Sequence, residues 1–407
     1  MSDLFDFYSA EARDQLTDFP PMAALRATAL ADFTRLGLPT RRDEDWKYSS
    51  TDGFNKLKFT GSAGVGSSTQ AHPGDLFKRS FHDLPPGVIV QPWAEAWANH
   101  AEKIKPYLGK IATHHHGFQA QNTALFQEGY FIYIPEGVCL DAPLYLPYWQ
   151  EGTHQARYIR TLMIAEPGSQ AVIIEDYQGH ELASCFTNTL TEVHLGQGAS
   201  LKHYKIQRES RLTYHVGELV VHQTESSQLE SHSLSVGGQW VRSDTRIALA
   251  GAHASCLMNG IYMTSDAQHV DHHTLVMHEV PDCKSEQDYK GMASGRSRAV
   301  FNGKVVVKPG AQHSDAKQQN KNLLLSMGAE IDTKPQLEIY ADDVVCTHGA
   351  TVGQLDEEAL FYLEARAVPR DEARRLLIQA FVAENVQRLN LEPLERWMGD
   401  VLTQQVG

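Results

Sequence analysis

The sequence is poor in cysteine and in positive charge, and it has no long apolar run. Its five cysteines (Cys139, Cys185, Cys256, Cys283, Cys346) are odd in number and never form a Cys-x-x-Cys pair. That spacing excludes a disulfide framework and a self-contained zinc or cluster site. No stretch approaches the roughly 20 apolar residues a membrane span needs. The acidic start MSDLFDFYSAEARDQL lacks the basic and apolar parts of a secretory signal. A cytoplasmic protein without membrane association is expected. Lys and Arg number 36 against 50 Asp and Glu, for a net charge of −14. No dense basic run interrupts that background, so nucleic acid is not an expected partner. Catalytic signatures are missing too: there is no HExxH, GxSxG, Walker lysine or GxGxxG. Gly61 and Gly66 imitate a phosphate loop, but Ser67 stands where its lysine must be. The chain reads as a non-enzyme.

What is present points to a repeating β architecture. The 407 residues, 42% hydrophobic and 21% charged, leave room for two or three structural units. Residues 1 to 110 read as helical and irregular. Met22, Leu25, Ala29, Phe33 and Leu36 recur at steps of three and four, with Pro20-Pro21 before them and Gly37 as a stop. RRDEDWKYSS reads as a surface loop with two aromatic anchors, Trp46 and Tyr48. Residues 61–70 read as a Gly/Ser-rich connector. From 111 to 350 the runs YFIYI, AVIIEDY, GELVVH, RIALA and KVVV carry β-branched and aromatic residues. Turn-like clusters separate them. Small residues within those clusters (Ser169, Ala199, Ser227, Ala254, Cys283, Ala311) follow one another at steps of 30, 28, 27, 29 and 28. Such a period suggests stacked coils, a β-solenoid, with a double-sheet jelly roll as the alternative for the same texture.

Residues 351 to 407 read as a helical tail. Asp356 is an N-cap, Glu357 and Glu358 suit the positive helix end, and Leu355 with Leu360 fits a hydrophobic staple. Leu355, Ala359, Leu363 and Ala367 form one face. After Pro369 a second helix carries Ala373, Leu376, Leu377, Ala380 and Phe381 on a common stripe, widened by Ile378 and Val382. So broad an apolar surface predicts two neighbours, one of them a partner protein.

Cys346 and His348 are the sharpest chemical pair. Two apart on a strand, they project from one face, but two donors do not close a tetrahedral site. From chemistry alone, a small buried cysteine beside a hydrogen-bonded histidine is the commoner arrangement. His114-His115-His116 reads as a solvated loop. His269, Asp271, His272, His273 and His278 read as what exposed histidines on solenoid coils would look like. Asp342 and Asp343, being adjacent on a strand, face opposite ways and read as a solvated turn.

Four stretches together are similar to one known family. GRSRAVFNGKVVVKPGAQHSDAKQQNKNLLLS, LEIYADDVVCTHGATVGQLDEEALFYLEARAVPRDEARRLLIQAFV and the preceding PDCKSEQDYK closely resemble the SufD family of the Suf iron–sulfur cluster assembly machinery, and RRDEDWKYSS resembles its Trp-Lys-Tyr segment. Asn320, where the B subunit carries a cysteine, and Thr347-His348, where it carries Glu-His, favour SufD over SufB. The resemblance implies a right-handed parallel β-helix flanked by N- and C-terminal helical regions, with no catalysis by this chain alone. It implies a SufB-like subunit joined at the C-terminal coils and a SufC-like ABC-type ATPase on the C-terminal helices. Leu360, Leu363, Leu376, Leu377 and Phe381 are the residues expected to meet that ATPase. It also makes His348, with Cys346 beside it, a metal or cluster ligand completed by the partner chain. Iron or an iron–sulfur cluster would be held transiently in the complex and not tightly by the isolated chain. Exposed terminal strands predict a homodimer when the B subunit is absent. A β-solenoid enzyme acting on polysaccharide and a stand-alone metalloprotein are the competing readings.

Overall fold

The computed structural model of the chain describes residues 3–14, 22–61, 75–78, 81 and 83–405. Pro20, Pro21 and residues 62–70 of the Gly/Ser-rich stretch, with Gly66 and Ser67, lie outside them.

Strand β1 (Thr60–Gly61) lies beside the third coil-forming segment, and β2 (Ile89–Pro92) closes the start of the stack. The coils then alternate between two sheets. The first takes β3 (Tyr130–Ile134), β5 (Thr153–Ala165), β7 (Ser184–Leu195), β9 (Tyr214–Gln223), β11 (Trp240–Leu249), β13 (His269–His278), β15 (Arg298–Val307) and β17 (Glu330–Ile339). The second takes β4 (Leu144–Gln150), β6 (Gln170–Gly179), β8 (Ser200–Arg208), β10 (Gln228–Ser235), β12 (Ser255–Thr264), β14 (Lys284–Ala293), β16 (Asp315–Leu324) and β18 (Val345–Gln354). Every strand of a coil pairs in parallel with the strand two on, as in β12 with β14 and β14 with β16. The architecture is therefore a parallel β-helix.

The period is set at the turns. Register places Gln170 beside Ser200, Ser200 beside Gln228, Gln228 beside Ser255, and Ser255 beside Lys284. These offsets of 30, 28, 27 and 29 are the ones read from the small residues, each of which immediately precedes its strand. The last step differs. Lys284 pairs with Asp315, an offset of 31, so Ala311 stands too early and Ser314 is the equivalent of Cys283. Two residues before each strand the backbone turns left-handed, at Gly168, Gly198, Ser226, His253, Asp282 and His313. Glycine meets that demand without cost in the first two turns; the later four carry side chains there.

Three apolar clusters hold the molecule together. Inside the coils, Ile132, Leu146, Ile173, Val193, Val221, Val276 and Val305 stack along the axis. On the outer face of the first sheet, helices α1 (Asp3–Asp14), α2 (Ala23–Leu36), α3 (Trp93–Ile104) and α4 (Gly117–Leu125) form a layer. Its rings Trp46, Phe54, Phe59 and Phe118 meet Phe186, Tyr214 and Trp240 of the strands. The expected α2 stripe is in place, with Met22, Ala29 and Phe33 buried and Gly37 ending the helix at φ +66°. Helix α4 and the first coil strand at Tyr130 both follow residue 110.

On the outer face of the second sheet lie α5 (Glu357–Glu364), α6 (Arg370–Gln387) and α7 (Glu392–Gln405). Ile378, Val382, Leu394 and Met398 pack on Tyr204, Ile206, Ile261 and Met292. This corrects the expected face of α6. Ala373 of the expected stripe is buried, but beside it the buried residues are Ile378 and Val382, which only widened the stripe, while Leu376 is 43% exposed. The helix turns its minor apolar edge to the sheet because Asn385, on that same edge, bonds Asn259 and the Asp288 carbonyl. Asp356 caps α5 as expected, accepting from the amides of Glu358 and Ala359 at 2.8 and 3.3 Å. No helix among the described residues is long and apolar enough to cross a membrane.

Candidate functional site

The two ends of the stack differ, and the site lies at the open one. Strands β17 and β18 terminate their sheets, so each leaves one edge unpaired among the described residues. In register, Cys346 stands beside Ala316, His348 beside Gln318, Ala350 beside Asn320 and Val352 beside Asn322. Those four residues of β16 are buried and its intervening Lys317 and Gln319 are exposed. Cys346 and His348 therefore share the inner face of the last coil, the side that every earlier coil covers. Here that face is open. Cys346 is half-buried against the core, and His348 is exposed. Burial pushes the Cys346 thiol up, opposed by a bond from the Ala316 backbone, so proton loss would accompany binding of a metal as thiolate. Among the described residues no group of three or more His, Cys, Asp or Glu side chains could hold a metal ion. Cys346 and His348 remain two donors.

Asp342 and Asp343 lie exposed in the turn before β18, as expected. Asp343 also holds His313 Nε2 at 3.2 Å, whose Nδ1 reaches Asp282 at 3.1 Å. That clasp ties the last turn to the two before it.

The histidine clusters are not what their spacing suggested. His114 bonds Asp32 and Thr123, both at 2.9 Å. His116 is buried against Trp46, its pKa pushed down to about 3 by burial. Only His115 of the three is exposed. The solvated-loop reading fails because the α2–α4 layer folds over this tract. The β13 cluster is likewise interior. His272 and His278 face the coil interior, while Asp271 bonds Arg242 at 2.8 Å and Ser49 bridges to His269 at 2.7 Å. Trp46 covers this network, with the Arg242 guanidinium 4.4 Å from its ring. Trp46 is buried and Tyr48 half-buried, so the two aromatic anchors of RRDEDWKYSS are in place.

One interior feature had not been anticipated. The coils are apolar along one side and polar along the other. Glu175 holds His203 at 2.9 Å and Thr191 at 3.0 Å. The Lys205 ammonium reaches Ser243 at 3.3 Å, beside Gly217, where any Cβ would collide with it. His215 Nδ1 meets Glu209 at 2.8 Å. Nearer the open end, Tyr262 bonds Asn322 at 2.7 Å, and Asn320 bonds Tyr262 and Thr333 at 3.1 and 2.8 Å. Burial lowers the Lys205 pKa to about 8. The available signal was charge at inward positions of alternating strands: Glu175 in AVIIEDY, and His203 and Lys205 in LKHYKIQ.

Of the residues expected to meet an ATPase, Leu360 is fully buried within the chain. Leu363, Leu377 and Phe381 are half-buried, with the Lys290 ammonium 5.5 Å from the Phe381 ring. Leu376 is exposed, and on α5 Phe361 and Tyr362 are 71% and 56% exposed.

Comparison with known proteins gives the family. The family model described as "SUF system FeS cluster assembly, SufBD core domain" matches residues 148–381, and "SufBD protein N-terminal region" matches 72–146. The iron–sulfur cluster assembly protein SufD of Escherichia coli is 31% identical over 393 residues, covering 90% of this chain and 89% of that protein. A SufBD family protein of Synechocystis is 28% identical, covering 88% and 86%, and SufD of Bacillus subtilis is 27% identical, covering 79% and 74%. With more than half its length matched by the core model, the chain belongs to the SufBD/SufD family of iron–sulfur cluster assembly proteins.

Proposed function

We propose that the open last coil is the seat of a SufB-like subunit, whose own coils continue the stack and complete a cluster-assembly site begun by His348 and Cys346. The role as a scaffold in iron–sulfur cluster assembly follows from family membership; the partner, its seat and the ligands are our reading. The observation that carries it is the inner face of β18. It has the register of a core strand, yet Val352 on it is 43% exposed and His348 is open to solvent. A half-made core with unpaired strand edges is a template for another chain. Two donors from this side, with the rest from the partner, would hold iron or a nascent cluster transiently at the seam.

The tail supplies the second contact. The exposed apolar residues Phe361, Tyr362 and Leu376 and the half-buried Leu363, Leu377 and Phe381 of α5 and α6 are suited to a SufC-like ATPase, while Leu360 anchors α5 from within. Because α5 follows β18 directly, a pull on the tail reaches the open coil. When the B subunit is absent, the same edge would pair with a second copy of this chain, the homodimer of the isolated protein.

Co-expression with SufB-like and SufC-like subunits tests this. A ternary complex is expected on size exclusion. Val352→Lys should remove the SufB-like subunit alone, and Leu376→Glu with Phe361→Glu the ATPase alone. A complex indifferent to both substitutions overturns the assignment of surfaces.

A further inference from the structure

Away from the open coil, the first sheet carries a cavity that the scaffold role does not use. It lies between the stretch after α3 and the outward faces of β7, β9, β11 and β13, with a volume of ≈ 420 Å³. That is within the range of about 300–1,000 Å³ common for small-molecule sites. Successive coils supply its apolar floor, Val220, Ala248, Leu275 and Met277. One wall is a run of rings: Tyr107 on His194 at 4.9 Å, and His194 stacked on His222 at 5.4 Å with 12° between planes. Burial and the neighbouring His222 push the His194 pKa down to about 4, so that ring is neutral at physiological pH.

The rim is cationic in a chain of net charge −14. Arg246 gives its Nε to Glu218 at 2.9 Å, and among the described residues its two Nη atoms make no hydrogen bond within the chain. Lys110 is exposed and forms no ion pair among those residues. Glu218 also accepts from Gln119. Burial raises its pKa, opposed by the Arg246 guanidinium beside it. His222 Nδ1 is a buried polar atom with no hydrogen-bond partner among the described residues. Cation, open guanidinium edge, stacked imidazoles and apolar floor meet in one space.

We propose that this cavity binds a small organic carboxylate, its head on the free edge of Arg246 near Lys110 and its apolar body along Val220, Ala248, Leu275 and Met277. A guanidinium edge offers two parallel donors matched to a single carboxylate. The predominantly apolar floor favours one charge on a hydrocarbon body over a compact dianion.

Calorimetric titration of the full chain at fixed ionic strength tests this, with octanoate, octan-1-ol and octylamine as probes. Octanoate should bind at one equivalent, octan-1-ol at least about tenfold more weakly, a loss of about 1.4 kcal/mol, and octylamine not at all. Arg246→Leu should weaken octanoate to the level of octan-1-ol. Ala248→Phe fills the floor while leaving the Arg246–Glu218 pair in place, and should abolish octanoate binding even if Arg246→Leu fails to fold. Equal affinity for octanoate and octan-1-ol, several equivalents bound, or unchanged binding by Ala248→Phe would overturn the site.

Discussion

In the first coil Ile132, Leu144 and Leu146 are almost wholly buried, and β2 lies antiparallel across β3 with Phe81 and Leu84 packed on the core. In the last coil the inward Ile339 and Val352 keep 40% and 43% of their surface exposed, and nothing among the described residues pairs with the far edge of β17 or β18. Both ends face the same physical problem, since a terminal coil exposes an open core and unpaired backbone groups. The chain covers its core at one end, although β4 there also ends its sheet, and leaves the core open at the other. The helical layers also stop short of this end, where Val345, Thr347 and Thr351 on the outer face of β18 are exposed. A selective gap at one terminus is what a stack awaiting a neighbour would have.

The contrast is most directly broken by equal truncations at the two ends. Leu146→Ala should cost about 2–5 kcal/mol, the range for emptying a closed core position. Val352→Ala in the isolated chain should cost about 0.5 kcal/mol or less, as at an open surface. Urea denaturation of both variants decides it. Comparable losses would mean that the last coil is closed by a second copy under those conditions, or that the end is not open.

A charge inside the closed region sharpens the same comparison. Lys205 is buried, with its pKa lowered to about 8 from 10.5. Below pH 8 both folded and unfolded chains carry the proton, and the folded one bears the burial penalty. As pH rises from 8 towards 10.5 the folded chain loses the proton first, so that penalty falls. At 1.36 kcal/mol per unit, the wild type should gain about 3 kcal/mol relative to Lys205→Met across that window. Parallel stability curves for the two proteins from pH 7 to 10.5 would place Lys205 in contact with water.

Much of this arrangement is visible in the sequence, and the reasons for the rest are local. Coil offsets of 30, 28, 27 and 29 are readable because a turn needs a small residue just before each strand. The reading slips at Ala311, where the KPGAQHS turn is longer and brings a second small residue, Ser314, to the equivalent place. The α5 cap at Asp356 is local chemistry and therefore legible. The buried edge of α6 is not, since Ile378 and Leu376 are equally apolar and only the sheet decides between them. The burial of His114 and His116 depends on Asp32 and Trp46, distant residues brought over the tract by the helical layer. The pairing of Cys346 with His348 on one face needed only the strand period, whereas the openness of that face is a property of the whole stack.

The join between open coil and tail gives a smaller effect. Asp356 follows β18 by two residues and caps α5. Asp356→Ala should cost about 1 kcal/mol, and hydrogen exchange should show the loss in α5 and not in β4 or β6. Protection lost equally from the first coils would mean that the two ends of the stack are one cooperative unit.

The smallest effect on stability is expected at the residue nearest the proposed chemistry. His348 faces inward by register, as His203 does, but His203 is buried on Glu175 at 2.9 Å while His348 has solvent before it. His348→Ala should therefore change the stability of the isolated chain by less than about 0.5 kcal/mol, as for an exposed position. In the assembled complex the same change should abolish cluster formation, followed by the visible absorbance of the cluster after anaerobic reconstitution, with subunit stoichiometry unchanged. The two readouts separate the roles a histidine can play here. A stability loss comparable to that of Leu146→Ala would show His348 to be part of the fold. Full cluster formation in the variant complex would leave Cys346 as the only candidate donor on this side of the seam, and the open coil as a docking surface alone.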